Sequence, residues 1–128
     1  MLNVLGPDGP AEWEVHDANL HLPGRYSREA IQGMIKSPED RTQVVTKLMK
    51  SVGGKLLSYY VTFGEYDWLL IAEAPDEQAI SAAVLTAAAG GGVTDLRTTV
   101  AMTPSQAKQA FAKAGELAGS FKSAGQAR

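Results

Sequence analysis

Two histidines, His16 and His21, carry the ionisable groups of this 128-residue sequence whose ordinary titration range brackets neutral pH. His21 is the stronger candidate for chemistry. It sits in an alternating stretch beside Asn19 on the polar side, where it could act as a general acid/base or bind a metal. The competing reading is a hydrogen-bonded, partly buried histidine with a structural task. His16 lies close to an irregular extension and carries less. Without a spaced carboxylate cluster, two histidines make a poor metal site, so no metal is expected. Arg97 and Arg25 could each grip a carboxylate or enolate-like ligand bidentately, or simply form surface ion pairs. Asp67 and Glu73 share one face of an apolar stretch. Six residues of strand hold them about 20 Å apart, too far to work as an acid/base pair. Asp67 reads as a turn or interface partner of Arg25 or Arg97, or else as a ligand contact. Tyr60, directed toward the helices, could offer its hydroxyl to a ligand, and Trp68 could supply an aromatic wall; for each, a plain core role competes. The working assignment is His21 as acid/base with Arg97 orienting charge, and Arg25, Tyr60, Asp67 and Trp68 as ligand contacts.

Other chemistries are excluded by what is missing. Cysteine is absent, which removes thiolate nucleophiles, thiolate zinc sites and disulfides. No G-x-S-x-G elbow occurs. Gly90-Gly91-Gly92 follows a helical pattern and lacks the Lys-Ser/Thr of a phosphate loop. No cofactor is implied by any motif.

The stretch that must position these residues is Lys55 to Pro75. It reads as a hairpin: Leu56 to Phe63, a Gly64-Glu65 turn, then Tyr66 to Ala74. Strict alternation places Leu57, Tyr59, Val61 and Phe63 on one face, and Leu56, Ser58, Tyr60 and Thr62 on the other. In the second strand Trp68, Leu70, Ala72 and Ala74 oppose Asp67, Leu69, Ile71 and Glu73. Both faces carry apolar residues, so both should be covered. Upstream, a short strand spans His16 to Leu22 and stops at Pro23-Gly24. Ser27 caps a first helix. Ser37-Pro38 breaks it and caps a second, whose stripe is Val44, Val45, Leu48, Met49 and Val52. Gly53-Gly54 ends that helix. Downstream, Asp76 caps an alanine-rich helix from Glu77 to about Ala89. Val93 to Met102 forms one last strand, and Thr103-Pro104 opens a final helix to about Leu117.

The order β-α-β-β-α-β predicts an α+β, ferredoxin-like domain with a four-stranded antiparallel sheet, helices on one face and an extra C-terminal helix. Residues 1–15 form an N-terminal extension, 16–103 the domain, and 104–128 a C-terminal helix and tail that frays. One bare apolar sheet face then calls for a second copy, packed sheet to sheet as a homodimer. With 45% hydrophobic residues, 20% charged residues and a net charge of -2, the chain has the composition of one globular domain and no basic patch for nucleic acid or an anionic membrane. Its start has neither the basic nor the long apolar segment of a secretory signal, and no apolar run reaches membrane-spanning length, so a cytoplasmic protein is expected.

The same elements carry a resemblance. Arg25-Tyr26, Ile31, Ile35, Ser37-Pro38-Glu39-Asp40-Arg41, Gly53-Gly54-Lys55-Leu56, Tyr60 through Asp67 and Glu73-Ala74-Pro75-Asp76 together resemble the GYD-domain family over about Asn19 to Met102. The name-giving Gly-Tyr-Asp stands here as Gly64-Glu65-Tyr66-Asp67, with one residue inserted. The resemblance implies membership of the dimeric α/β-barrel superfamily, which also holds antibiotic-biosynthesis-type monooxygenases, muconolactone isomerase-like and EthD-like proteins. It strengthens the fold and leaves the function open. The leading expectation is a homodimer that binds a small apolar or aromatic molecule between sheet and helices; if that molecule is turned over, cofactor-free proton transfer, isomerisation or oxygenation is the expected type. The alternative is a non-catalytic assembly module whose sheet face serves oligomerisation.

Overall fold

A computed structural model describes residues 18–126. The elements are β1 (Ala18–Tyr26), α1 (Arg28–Lys36), α2 (Thr42–Ser51), β2 (Lys55–Val61), β3 (Trp68–Ala74), α3 (Glu77–Ala89), β4 (Val93–Thr94), β5 (Thr99–Ala101) and α4 (Pro104–Ala118). The sheet is antiparallel in order β2-β3-β1-β4, with β5 pairing β1 on the same side as β4. This is the expected α+β, ferredoxin-like arrangement, with the fourth strand in two pieces. His16 and the extension at residues 1–15 lie outside the described residues.

Pro23 explains the split. Contrary to the sequence expectation, β1 does not stop at Pro23-Gly24 but runs on to Tyr26. Within a strand the N–H and C=O of one residue point to the same side. The Pro23 carbonyl accepts from the Arg97 N–H at 3.0 Å, so the missing Pro23 N–H also faces the fourth strand. There the ladder has no donor. The chain bulges out as residues 95–98, with Asp95 at φ 52°, a left-handed conformation that aspartate tolerates better than most residues. β4 pairs Arg25 and Tyr26 on one side of the gap, and β5 pairs Asn19 to His21 on the other.

The core lies between the sheet and the helices α2 and α3. Leu20 and Leu22 of β1 and Ala72 and Ala74 of β3 are buried against Met49 of α2 and Ile80 and Ala83 of α3. Alanines on α3 let the helix lie close to the strands. Its first turn is capped by the Asp76 carboxylate, which accepts from Ala79 N–H at 2.9 Å. The helical break falls where Ser37-Pro38 predicts it, but Pro38 does not open the second helix. That helix starts at Thr42, where the Asp40 carboxylate accepts from both the N–H and the hydroxyl of Thr42. These two bonds hold the Asp40 carboxyl below its usual range. Gly53, at φ 81°, ends α2 in the left-handed conformation that glycine adopts without cost.

Candidate functional site

The register of β2 on β3 shifts between Leu56 and Ser58. Leu57 is the extra residue, and every residue beyond it changes face. Leu56, Tyr59 and Val61 therefore share the helix side with their partners Ala72, Leu70 and Trp68, while Tyr60 pairs with Leu69 on the opposite side. The strict alternation expected for this strand fails at that one residue. Tyr60, expected to project toward the helices, is 59% exposed on the open face. Tyr59 stands in its place.

On the helix side the sheet and helices line a cavity of about 370 Å³ that is partly open to solvent. Leu22, Leu70 and Trp68 form its floor. Val44, Val45 and Leu48 of α2 and Val84 and Ala87 of α3 form its walls, and Leu96 closes one end. The polar groups are few: the hydroxyls of Tyr26 and Tyr59, the Arg41 guanidinium and Thr86. No aspartate or glutamate is among the lining residues. The two tyrosine hydroxyls lie 3.3 Å apart, so one donates to the other. Burial, with the Tyr26 hydroxyl beside it, pushes the Tyr59 phenol well above the usual tyrosine range, so it stays protonated. Arg41 reaches Glu39 at 2.7 Å at the surface. Thr86 spends its proton on the Ala82 carbonyl at 2.7 Å.

Trp68 is buried in the site, at 5% exposure. Its ring lies against Gly24, where any Cβ would collide with the indole, and its centroid is 6.5 Å from that of Tyr26. Among the described residues, its indole Nε1 is the one buried side-chain polar atom with no hydrogen-bond partner.

A family model described as the GYD domain matches residues 22–111, most of the chain. The chain belongs to the GYD domain family. The match runs past Met102 into α4 as far as Phe111, further than the resemblance read from the sequence. A search of curated proteins finds no match.

In this GYD domain the expected site residues divide between places. Trp68 lines the cavity. His21 does not: it is exposed, paired with Ile71 and Thr99 on the sheet face away from α2 and α3. Tyr60 lies on that same face, so neither residue reaches the cavity in which both were expected to act. Arg25 packs its guanidinium over the Tyr66 ring, 5.4 Å from the centroid. The Asp67 carboxylate accepts from the Tyr26 N–H at 2.9 Å, and among the described residues it pairs with neither Arg25 nor Arg97. Arg97 is exposed in the 95–98 loop beside Pro23. Asp67 thus ties the hairpin end to the end of β1, an indirect support for Tyr26 and the cavity. Tyr26, Tyr59 and Arg41 were not singled out from the sequence as cavity residues. Nothing in the order Tyr59-Tyr60 tells which ring faces inward unless the bulge at Leu57 is known. Among the described residues no helix is long and apolar enough to cross a membrane.

Proposed function

We propose that this GYD domain binds a small apolar or aromatic molecule in the cavity between sheet and helices, and that it does so as a homodimer joined through the open sheet face. The observation that carries the binding reading is the cavity itself: at about 370 Å³ it falls in the range of ligand pockets, with mostly apolar walls and a few convergent polar groups. The dimer reading rests on the other face, where half-buried Leu69 and Ile71 and exposed Tyr60 lie side by side with no helix of the described residues packed over them.

Catalysis is a separate reading: for His21 it would need that open face, and Arg97 would have to act from the 95–98 loop. Cofactor-free proton transfer, isomerisation or oxygenation by His21 requires a ligand held there against a second copy. The non-catalytic alternative uses the same face for assembly alone. A His21→Ala variant that keeps its oligomeric state and all turnover of a found substrate removes the catalytic role.

The binding reading is tested by filling the cavity. Ala87→Trp places a large ring at a half-buried wall position. Titrated with anilinonaphthalene sulfonate, the native protein should take up about one dye per chain, and the variant should bind at least tenfold more weakly with its oligomeric state unchanged. Equal binding by the two proteins would falsify the cavity as the binding site.

A further inference from the structure

Resting on the cavity-binding reading, we infer that the ligand is apolar along most of its length and carries an oxygen acceptor at one end, held by the Tyr26–Tyr59 hydroxyl pair and Arg41. A second cavity of about 300 Å³ adjoins the first. Tyr26, Tyr59 and Arg41 line both. The polar groups of the main cavity therefore gather where the two meet. Thr86 is the exception, and its proton goes to the Ala82 carbonyl; the Trp68 Nε1 is buried away from the open space. Elsewhere the walls are mainly aliphatic. A molecule with polar groups at both ends would bury one of them unpaired against those walls, which is costly. A pure hydrocarbon would forgo the hydrogen bonds offered at the junction.

That junction has donors to spare. Tyr26 and Tyr59 own two hydroxyl protons and spend one on each other, which leaves one free to donate. Burial keeps Tyr59 protonated, so its oxygen does not become a phenolate that would answer these donors itself. Arg41 has N–H groups beyond the one pointed at Glu39, and its side chain is 41% exposed, within reach of an incoming group. Glu39 and Asp40 line only the second cavity, where they already accept from Arg41 and Thr42. An exposed pair such as Arg41–Glu39 contributes little by itself, so a ligand oxygen can share or replace it. An ammonium end would meet Arg41 as a like charge. A hydroxyl, carbonyl or carboxylate oxygen meets donors.

Calorimetry with a set of probes sharing one skeleton tests this. Diphenylmethane has no oxygen. 4-Benzylphenol and benzhydrol are isomers, with the hydroxyl at the end or in the middle, and 4-benzylbenzoate carries an anionic oxygen at the end. 4-Benzylphenol should bind roughly fivefold more tightly than both diphenylmethane and benzhydrol, as expected of one net hydrogen bond. A chain carrying Tyr26→Phe and Tyr59→Phe together should bring both ratios close to one while its affinity for diphenylmethane stays the same. A preference for 4-benzylbenzoate that Arg41→Gln erases supports the inference with a carboxylate as the source of the oxygen. If diphenylmethane or benzhydrol binds as tightly as 4-benzylphenol, with no preference for 4-benzylbenzoate, the inference is overturned and the cavity reading stands. A preference for the end-placed oxygen that survives loss of both hydroxyls and of the Arg41 charge overturns it as well. Failure of every probe to bind overturns both. The comparison within the native protein decides the matter even if the double variant does not fold.

Discussion

Gly24 and Trp68 face each other across the β1–β3 ladder, and the fit between them sets the floor of the cavity. Gly24 is buried, and a Cβ there would press into the six-membered ring of the indole. Its requirement for glycine is steric; its backbone is ordinary strand. Gly24→Ala should therefore destabilise the fold by about 1–3 kcal/mol, the usual cost of overpacking. Trp68→Phe in the Gly24→Ala background should recover part of that loss, since the smaller ring vacates the contested space. Urea denaturation of the four proteins of the cycle measures the coupling, and strictly additive effects would rule out the contact. Tyr59 makes a second claim at this scale. Its phenol is held above the usual range by burial and by Tyr26, so the unfolded chain releases the proton first. Stability from this group is complete below the unfolded tyrosine value of about 10 and is lost as pH rises past it toward the folded value. A spectroscopic titration of tyrosinate should show one of the four tyrosines ionising later than the rest, and Tyr59→Phe should remove that late step.

At the scale of elements, most of the fold was legible in the sequence, and each failure has a local cause. The alanine-rich helix from Glu77 to Ala89 was readable from Asp76, the apolar positions and the glycines after it. The faces of β3 were readable because its alternation is unbroken. The faces of β2 were not, because the bulge at Leu57 changes the face of every later residue with no glycine or proline to announce it. Pro23 misled in the other direction: it reads as a strand end, yet it interrupts the neighbouring strand and leaves its own intact. The expected ligand contacts inherited the error in β2: Trp68, on the unbroken β3, does line the cavity, while Tyr60 was expected where Tyr59 stands. α4 follows the rules of an isolated helix. Thr103 and Gln106 form a reciprocal cap, the Gln106 N–H donating to the Thr103 hydroxyl at 3.1 Å and the Thr103 N–H to the Gln106 side chain at 2.9 Å. None of its residues is buried, and Phe111 and Leu117 remain exposed. Thr103→Ala removes a cap worth about 1 kcal/mol to the helix. Because α4 buries nothing on the sheet, that loss should lower helical circular dichroism while leaving the urea midpoint of the domain unchanged. A midpoint that falls with the helical signal would show α4 to be coupled to the core.

For the whole molecule, the two faces of one sheet make opposite demands. The helix side closes over Leu20, Leu22, Ala72 and Ala74, and the remaining space forms the cavity. The other side presents Leu69, Ile71 and Tyr60 beside His21 and Thr99, and α2 and α3 cannot cover it because they are already spent on the first face. β3 is an interior strand of the sheet, so Leu69 and Ile71 sit away from the edges, where an apolar side chain gains most from a partner and loses most to water. A second copy related by a two-fold axis would bring the same residues against themselves. A charge at Ile71 then has two effects that can be separated. In one chain alone it lies half-buried on the open face, so Ile71→Arg should lower the fold's urea midpoint only modestly. In a sheet-to-sheet dimer it buries two like charges close together without partners, which costs several kcal/mol and is enough to dissociate a complex of ordinary affinity. Sedimentation velocity should show the native chain as a dimer and Ile71→Arg as a folded monomer. If the native chain is monomeric at high concentration, or Ile71→Arg still pairs, the open face is not where copies meet, and any chemistry assigned to His21 within that interface goes with it.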